Sequence, residues 1–272
     1  MTRSLILLLG ASLALTACDN GETDPTDVTD STDNTDETDE PEPRLVSVTG
    51  STSELLTQVA APEGLCAVAV EPTEALGGGS LTVLGSSTVD ASGNFTISDV
   101  DLDEAPLAIF VVLKDCDDSN TVSFPTGTGI AAEDYEDNVA GDTLNRDSIW
   151  IAKASADGIN QSLTAVGSSK SMADGMVFAQ VLTSAGAPAV GATVSCQGDG
   201  CNDLEAYYMD ADPSDGLFST GGSINAGIVV GLAAVPGGPV ANYTANLDGS
   251  TFSSSLFGSI TGLASFTRIQ AE

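Results

Sequence analysis

Cysteine is the residue type with most chemistry to offer. Of five cysteines, Cys18 stands alone near the N-terminus, while Cys66, Cys116, Cys196 and Cys201 are spread over the remainder. Four thiols in an oxidising compartment form two disulfides by one of three connectivities. We expect one pair in each half of the body, Cys66 with Cys116 closing a long loop and Cys196 with Cys201 stapling a short one. The long-loop pair would stabilise the fold by roughly 3–4 kcal/mol in the chain-entropy picture. A zinc centre would need all four thiolates, because the chain has no histidine, and the spacing does not suit one. Without histidine the usual general base of hydrolases is missing too. Lys114, Lys153 and Lys170 lie in no Ser-x-x-Lys arrangement, and the carboxylates are too numerous for one catalytic pair to stand out. The expectation is a chain without catalytic residues or cofactor, and not an enzyme.

Carboxylates are the other chemistry-bearing group. Asp99, Asp101 and Asp103 form one cluster, Asp115, Asp117 and Asp118 a second, and Asp210, Asp212 and Asp215 a third. Such oxygen-rich loops suit calcium, but the third cluster places Asp at positions 1, 3 and 6 with glycine at 7, out of register with an EF-hand loop. Aspartates that cap solvated turns explain the same pattern, so no metal site is assigned. With 7 Lys plus Arg against 39 Asp plus Glu, the net charge of −32 repels nucleic acid and anionic membrane surfaces.

The elements that must position these groups read as strands. Short apolar runs bounded by Gly, Asn, Asp or Pro occur at 45–48, 65–70, 81–84 and 95–97, and Leu107 to Leu113 is continuously apolar, as suits a strand buried on both faces. A second set comprises 176–182, 192–195, 226–235 and 252–256. Between the sets, Ile149, Ala152, Ala156, Ile159, Leu163 and Val166 follow helical spacing, with Asp147 or Ser148 as cap and Gly167 as terminator; Ser148 to Ile151 also reads as a strand. We expect an all-β body of two sandwich modules, 44–125 and 174–272, joined by a connector at 126–173 with a short helix.

Two turns share a design. Asp90-Ala91-Ser92-Gly93-Asn94-Phe95 and Asp212-Pro213-Ser214-Asp215-Gly216-Leu217-Phe218 each place an acidic turn, a glycine and an inward aromatic in order. With Gly186-Ala187-Pro188 leading into Gly191-Ala192-Thr193-Val194, this resembles the carboxypeptidase regulatory-like, or transthyretin-like, β-sandwich family. The resemblance covers perhaps 60 residues, is better in the second module, and implies Ig-like or prealbumin-like sandwiches that serve structural, folding or adhesion roles.

The first residues form an address. Arg3 and an apolar stretch from Leu5 to Leu15 precede Leu15-Thr16-Ala17-Cys18, which resembles the lipobox of bacterial lipoproteins. The resemblance implies a signal peptide at 1–17, removed before Cys18, and acylation of Cys18; two or three chains at roughly 0.8 kcal/mol per buried methylene anchor stably. Residues 18–43 follow as a disordered stalk. From Asp19 to Pro43 the chain carries eleven acidic residues and Thr-Asp pairs every third position, and self-repulsion would extend it to roughly 75 Å. Asp19 resembles an inner-membrane retention signal, yet the expected place is the bacterial envelope, at the outer membrane or cell surface in preference to the inner membrane. The expected partners are the membrane, through the lipid, and an unknown envelope or extracellular protein or glycan. The function expected is structural, adhesive or display. The alternative is carbohydrate or solute binding, with Tyr207-Tyr208 the one local aromatic pair and calcium assistance a variant.

Overall fold

The computed structural model describes residues 43–76, 80–132, 135–198, 200–210, 216–219, 222–225 and 231–272. Cys18, the stalk, Asp212, Asp215 and residues 226–230 of the expected strand lie outside the described residues. In chain order the strands are β1 (Leu45–Glu54), β2 (Cys66–Glu71), β3 (Thr82–Thr88), β4 (Asn94–Asp101), β5 (Ala108–Lys114), β6 (Ser123–Phe124), β7 (Thr126–Ala131), β8 (Val139–Ala140), β9 (Thr143–Asn145) and β10 (Ser148–Ala152). After the helix Lys153–Ala165 come β11 (Met176–Leu182), β12 (Thr193–Gln197), β13 (Tyr207–Met209), β14 (Phe218–Ser219), β15 (Leu232–Pro236), β16 (Ala241–Asn246), β17 (Ser255–Phe257) and β18 (Ala264–Gln270).

The centre of the body is a nine-stranded sheet of order β14-β13-β15-β11-β18-β7-β5-β2-β3. Its strands β15, β11, β5 and β2 are apolar on both faces because both faces are covered there. Along β5, Ile109, Val111 and Leu113 enter a core shared with Val46 and Val48 of β1 and Ile97 of β4, while Phe110 and Val112 enter a core shared with Val194, Tyr243 and Phe257. The first cover is the sheet β6-β10-β1-β9-β8 with β4 on β1; the second is the three-stranded sheet β12-β16-β17. Beyond β18 the first face changes cover, and Met176, Phe178, Leu232 and Phe266 pack on Ala156, Ile159 and Leu163 of the helix. The molecule is thus all-β with one long helix, and each half is a sandwich built on the opposite face of one shared sheet.

The two expected modules, 44–125 and 174–272, meet in this central sheet, and Glu42–Glu272 is one compact unit. The supposed connector supplies the seam: β7 pairs antiparallel with β5 and parallel with β18. The helix also begins later than its periodicity predicts. Ser148–Ala152 is drawn into a strand, parallel to β1 and antiparallel to β6, so Ala152 rather than Asp147 or Ser148 occupies the N-cap. Asp147 instead accepts hydrogen bonds from the Ser51 amide (3.0 Å) and hydroxyl (2.7 Å). At the other end Gly167 takes a left-handed φ of +86° just past the C-cap.

The seam depends on two glycines. In the β5–β7 pair Phe110 stands opposite Gly129, and a Cβ at Gly129 would lie 2.6 Å from the Phe110 ring; one at Gly127 would lie 3.1 Å from it. The ring lies over this bare backbone and stacks on Phe257, centroids 5.3 Å apart. Phe110→Ala should cost about 3–5 kcal/mol, as deletion of a core aromatic does. Gly129→Ala should cost about 1–3 kcal/mol through overpacking. The double variant should be less unstable than the sum, because the new methyl enters the space the ring leaves; urea unfolding of the three variants checks this.

Candidate functional site

Cys66 opens β2 and Cys116 follows β5 by two residues; Cys66 and Lys114 are register partners, which brings the two Cα atoms to 5.0 Å in a disulfide spanning 50 residues. Cys196, in β12, is bonded to Cys201 with Cα atoms 5.6 Å apart across a separation of 5. Both bridges sit at strand ends, where they fix loops.

Between Cys116 and the seam runs the loop 116–122, organised by Asp115. Its side chain is buried, and Oδ2 accepts the amides of Thr121 (2.6 Å) and Val122 (2.9 Å) and the Ser119 hydroxyl (3.0 Å). Oδ1 accepts the amide (2.8 Å) and hydroxyl (2.7 Å) of Ser123, the first residue of β6. Burial alone would raise the pKa of this carboxyl, but the converging donors outweigh it and hold the group far below the usual carboxylate range. Loop residues Asp118 and Asn120 take left-handed φ values of 57° and 52° as the chain turns about it.

The other carboxylates act in the same way on a smaller scale. Asp90 accepts the amides of Ser92 and Asn94, Asp101 that of Asp103, and Asp117 that of Ser119, each capping its own turn. Backbone donors lower the pKa of Asp90, and Ser119 lowers that of Asp117. Two glutamates that the sequence did not single out are buried as well. Glu54 accepts the amides of Leu56 and Thr57 and, at 3.3 Å, that of Ala152; Glu71 accepts the Thr73 amide at 2.9 Å. Among the described residues no three Asp, Glu, His or Cys side chains converge as a metal would require.

Aromatic residues are spent in the interior. Trp150 is buried, its indole N–H donating to the Val59 carbonyl at 3.0 Å. Tyr207 and Tyr208 point to opposite faces of β13, but that strand lies in the doubly covered sheet, so both are buried and the pair offers no exposed platform. The Tyr207 hydroxyl donates to Glu205 (2.8 Å), and the Tyr208 oxygen accepts the Val194 amide (2.9 Å). Burial raises the pKa of Tyr135, Tyr208 and Tyr243, with the Glu71 charge adding to the effect at Tyr135, so all remain protonated in any physiological medium.

No protein-family model matches the chain, and no curated protein matches it. Among solved structures it is similar to the shaft pilin SpaA of Lactobacillus rhamnosus GG, at 9% identity and a TM-score of 0.25, over 84% of this chain and 98% of the pilin. It is similar also to a streptococcal ancillary pilin, at 8% identity and a TM-score of 0.24, over 84% of this chain and 68% of that one. A third similarity, to a 9R-lipoxygenase from Cyanothece, has 20% identity and a TM-score of 0.25 and covers 39% of this chain and 16% of the lipoxygenase.

Two outcomes follow for stability. Because the folded pKa of Asp115 lies below its value of 3.8 in an unfolded chain, its contribution is complete above that pH and fades as pH falls below it. Asp115→Asn should cost about 2–3 kcal/mol at pH 7, leaving buried amides short of an acceptor, and should flatten stability between pH 5 and 2, read by urea titration at each pH. Replacing Cys66 and Cys116 by serine should cost about 4 kcal/mol, against about 2 kcal/mol for the same change at Cys196 and Cys201, as loop length dictates; thermal melts of the two double variants decide the order.

Proposed function

We propose that this chain is a lipid-anchored protein of the bacterial envelope or cell surface, whose body is a non-enzymatic structural, adhesion or display unit held out by an acidic stalk. The observation that supports this reading best is the use made of reactive side chains in the body. Cys66, Cys116, Cys196 and Cys201 are consumed in two disulfides, a chemistry of exported proteins. The buried carboxylates Asp115, Glu54 and Glu71 are aimed at backbone amides rather than into a cleft, and the tyrosines and Trp150 lie in the core. Side chains committed in this way build rigidity and leave little to perform a reaction.

The anchor follows from Cys18 and its flanking Leu15 and Ala17. No helix among the described residues is long and apolar enough to cross a membrane; acyl chains at Cys18 would supply the attachment. With acyl chains at Cys18, the Thr-Asp segment would place the body beyond the headgroup layer, and its negative charge would keep it off anionic lipid.

Mass spectrometry of the chain from a bacterial host, with palmitate labelling, tests the anchor. A mature chain beginning at Cys18 with added acyl mass is expected, and Cys18→Ser should shift the protein from the membrane to the soluble fraction while antibody still detects the folded, oxidised body. A mature chain without acyl mass at Cys18, or a body recovered from the cytosol with free thiols, overturns the proposal.

A further inference from the structure

The three-stranded cover sheet has an uncharged outward face that also carries exposed apolar side chains and adjoins a cleft. Val194, Ala241, Tyr243, Ala245 and Phe257 point into the core, so alternation puts Thr193, Ser195 and Gln197 of β12, Asn242, Thr244 and Asn246 of β16 and Leu256 of β17 on the other side. The registers align them in rows: Thr193 with Asn246, Ser195 with Thr244, and Gln197 with Asn242 and Leu256. None is charged, in a chain with 39 acidic residues. The Asn246 amide nitrogen donates to the Ser195 hydroxyl at 2.9 Å and the Thr244 hydroxyl to the Ser253 carbonyl at 3.4 Å, leaving most donors and acceptors facing solvent. Leu256 is 63% exposed and Val240, beside the start of β16, 41%. Past Asn246 the chain turns through Leu247–Ser250 into an open cleft of about 400 Å³ whose wall carries Thr183, Ser184, Ser250 and Thr251. Asp248 in that turn and Glu272 on the cleft wall are the carboxylates at that end.

We propose that this face binds a neutral polysaccharide. The inference deepens the reading of the body as a surface-displayed adhesion unit and rests on it. Charge selects the class, because among the described residues the strands of this face present no cation to hold an anionic polymer and no carboxylate to hold a basic one, while the net charge of −32 repels polyanions. Size argues against a second copy: three strands about 4.8 Å apart, the longest of six residues, span at most about 300 Å², whereas a stable protein partner covers about 800 Å². A peptide is recognised at a sheet edge through its main chain with pockets for alternate side chains. This face instead presents hydroxyl and amide groups across its breadth, the groups that pair with sugar hydroxyls, with Leu256 and Val240 to meet the C–H faces of the rings.

Affinity electrophoresis of the full chain in gels containing soluble glucan, mannan or galactan, with polygalacturonate as the anionic comparison, tests the proposal. Retardation by at least one neutral polymer and by no anionic one is expected. Thr244→Arg, which fills the middle of the face, should weaken retardation at least tenfold, and Thr96→Arg on the exposed side of β4 should leave it unchanged; Asn242→Ala with Asn246→Ala serves if Thr244→Arg lowers the melting temperature. No retardation in any neutral gel, full retardation of the face variants, or a dimer in sedimentation velocity that Thr244→Arg dissolves overturns the proposal. Acylation of Cys18 and antibody labelling of intact cells are measured apart, so the glycan site can fail while the display reading stands.

Discussion

The contact of Phe110 with the bare backbone of β7 is the constraint on which the architecture turns. A strand that is apolar on both faces must be covered twice, and β5 sends alternate residues into two different cores. Its neighbour β7 carries Gly127 and Gly129 on the side that Phe110 occupies, which lets the ring lie flat and reach Phe257 in the cover sheet. The other side of β7 bonds to β18. One short strand therefore fixes the first half of the chain to the second through backbone hydrogen bonds, and one ring fixes the shared sheet to its cover. Separation of the halves would expose the facing edges of β7 and β18 and part the Phe110 ring from Phe257.

A second constraint is electrostatic. Residues 44–272 carry 28 Asp and Glu against 6 Lys and Arg, which is costly for a compact body, and the chain limits the cost by where it places its carboxylates. They sit in turns, where amide hydrogens that the sheets leave unpaired give them donors, as at Asp90, Asp101 and Asp117. Asp115 carries the device furthest, organising a whole loop from a buried position next to Cys116. Covalent and ionic restraint thus meet at one end of β5, where the chain leaves the central sheet for β6 and returns to it as β7.

Much of this was legible in the residues. The continuous apolar run at 107–113 became the doubly buried β5, Met176 to Leu182 became β11, and the turn at Asp90 carries its glycine at φ +80° and Phe95 inward. What escaped has physical reasons. β7 reads Thr-Gly-Thr-Gly-Ile-Ala, and glycine marks turns more often than a ring's seat, so the seam passed for a linker. In β18 the polar Ser265 and Thr267 interrupt the pattern, yet both are buried, the Ser265 hydroxyl donating to the carbonyls of Met176 and Gly258. Tyr207-Tyr208 was legible as an aromatic pair but not as a buried one, because a strand in a sheet covered twice turns neither face to solvent. Nor did the sequence separate Asp115 from its exposed neighbours Asp117 and Asp118, because only the fold decides which of three adjacent carboxylates turns inward.

The same charge distribution answers a difficulty that a sheet-rich body raises. Edge strand β3, Thr-Val-Leu-Gly-Ser-Ser-Thr, has neither proline nor charge, and Val83 on it is 62% exposed, the features that invite edge-to-edge pairing. A register shift between Ala69 and Val70 of β2 disturbs the ladder beside it, which gives some protection. Most must come from charge: carboxylates gathered at strand ends face an approaching copy at the distances where pairing would begin, inside a Debye length of about 8 Å, where salt screens them least. Repulsion of that kind is blind to sequence and acts between any two copies, so individual edges and faces need no guard of their own. It leaves the outer sheet faces free to remain uncharged, and it permits neutral matter to approach where a second copy of the chain is turned away.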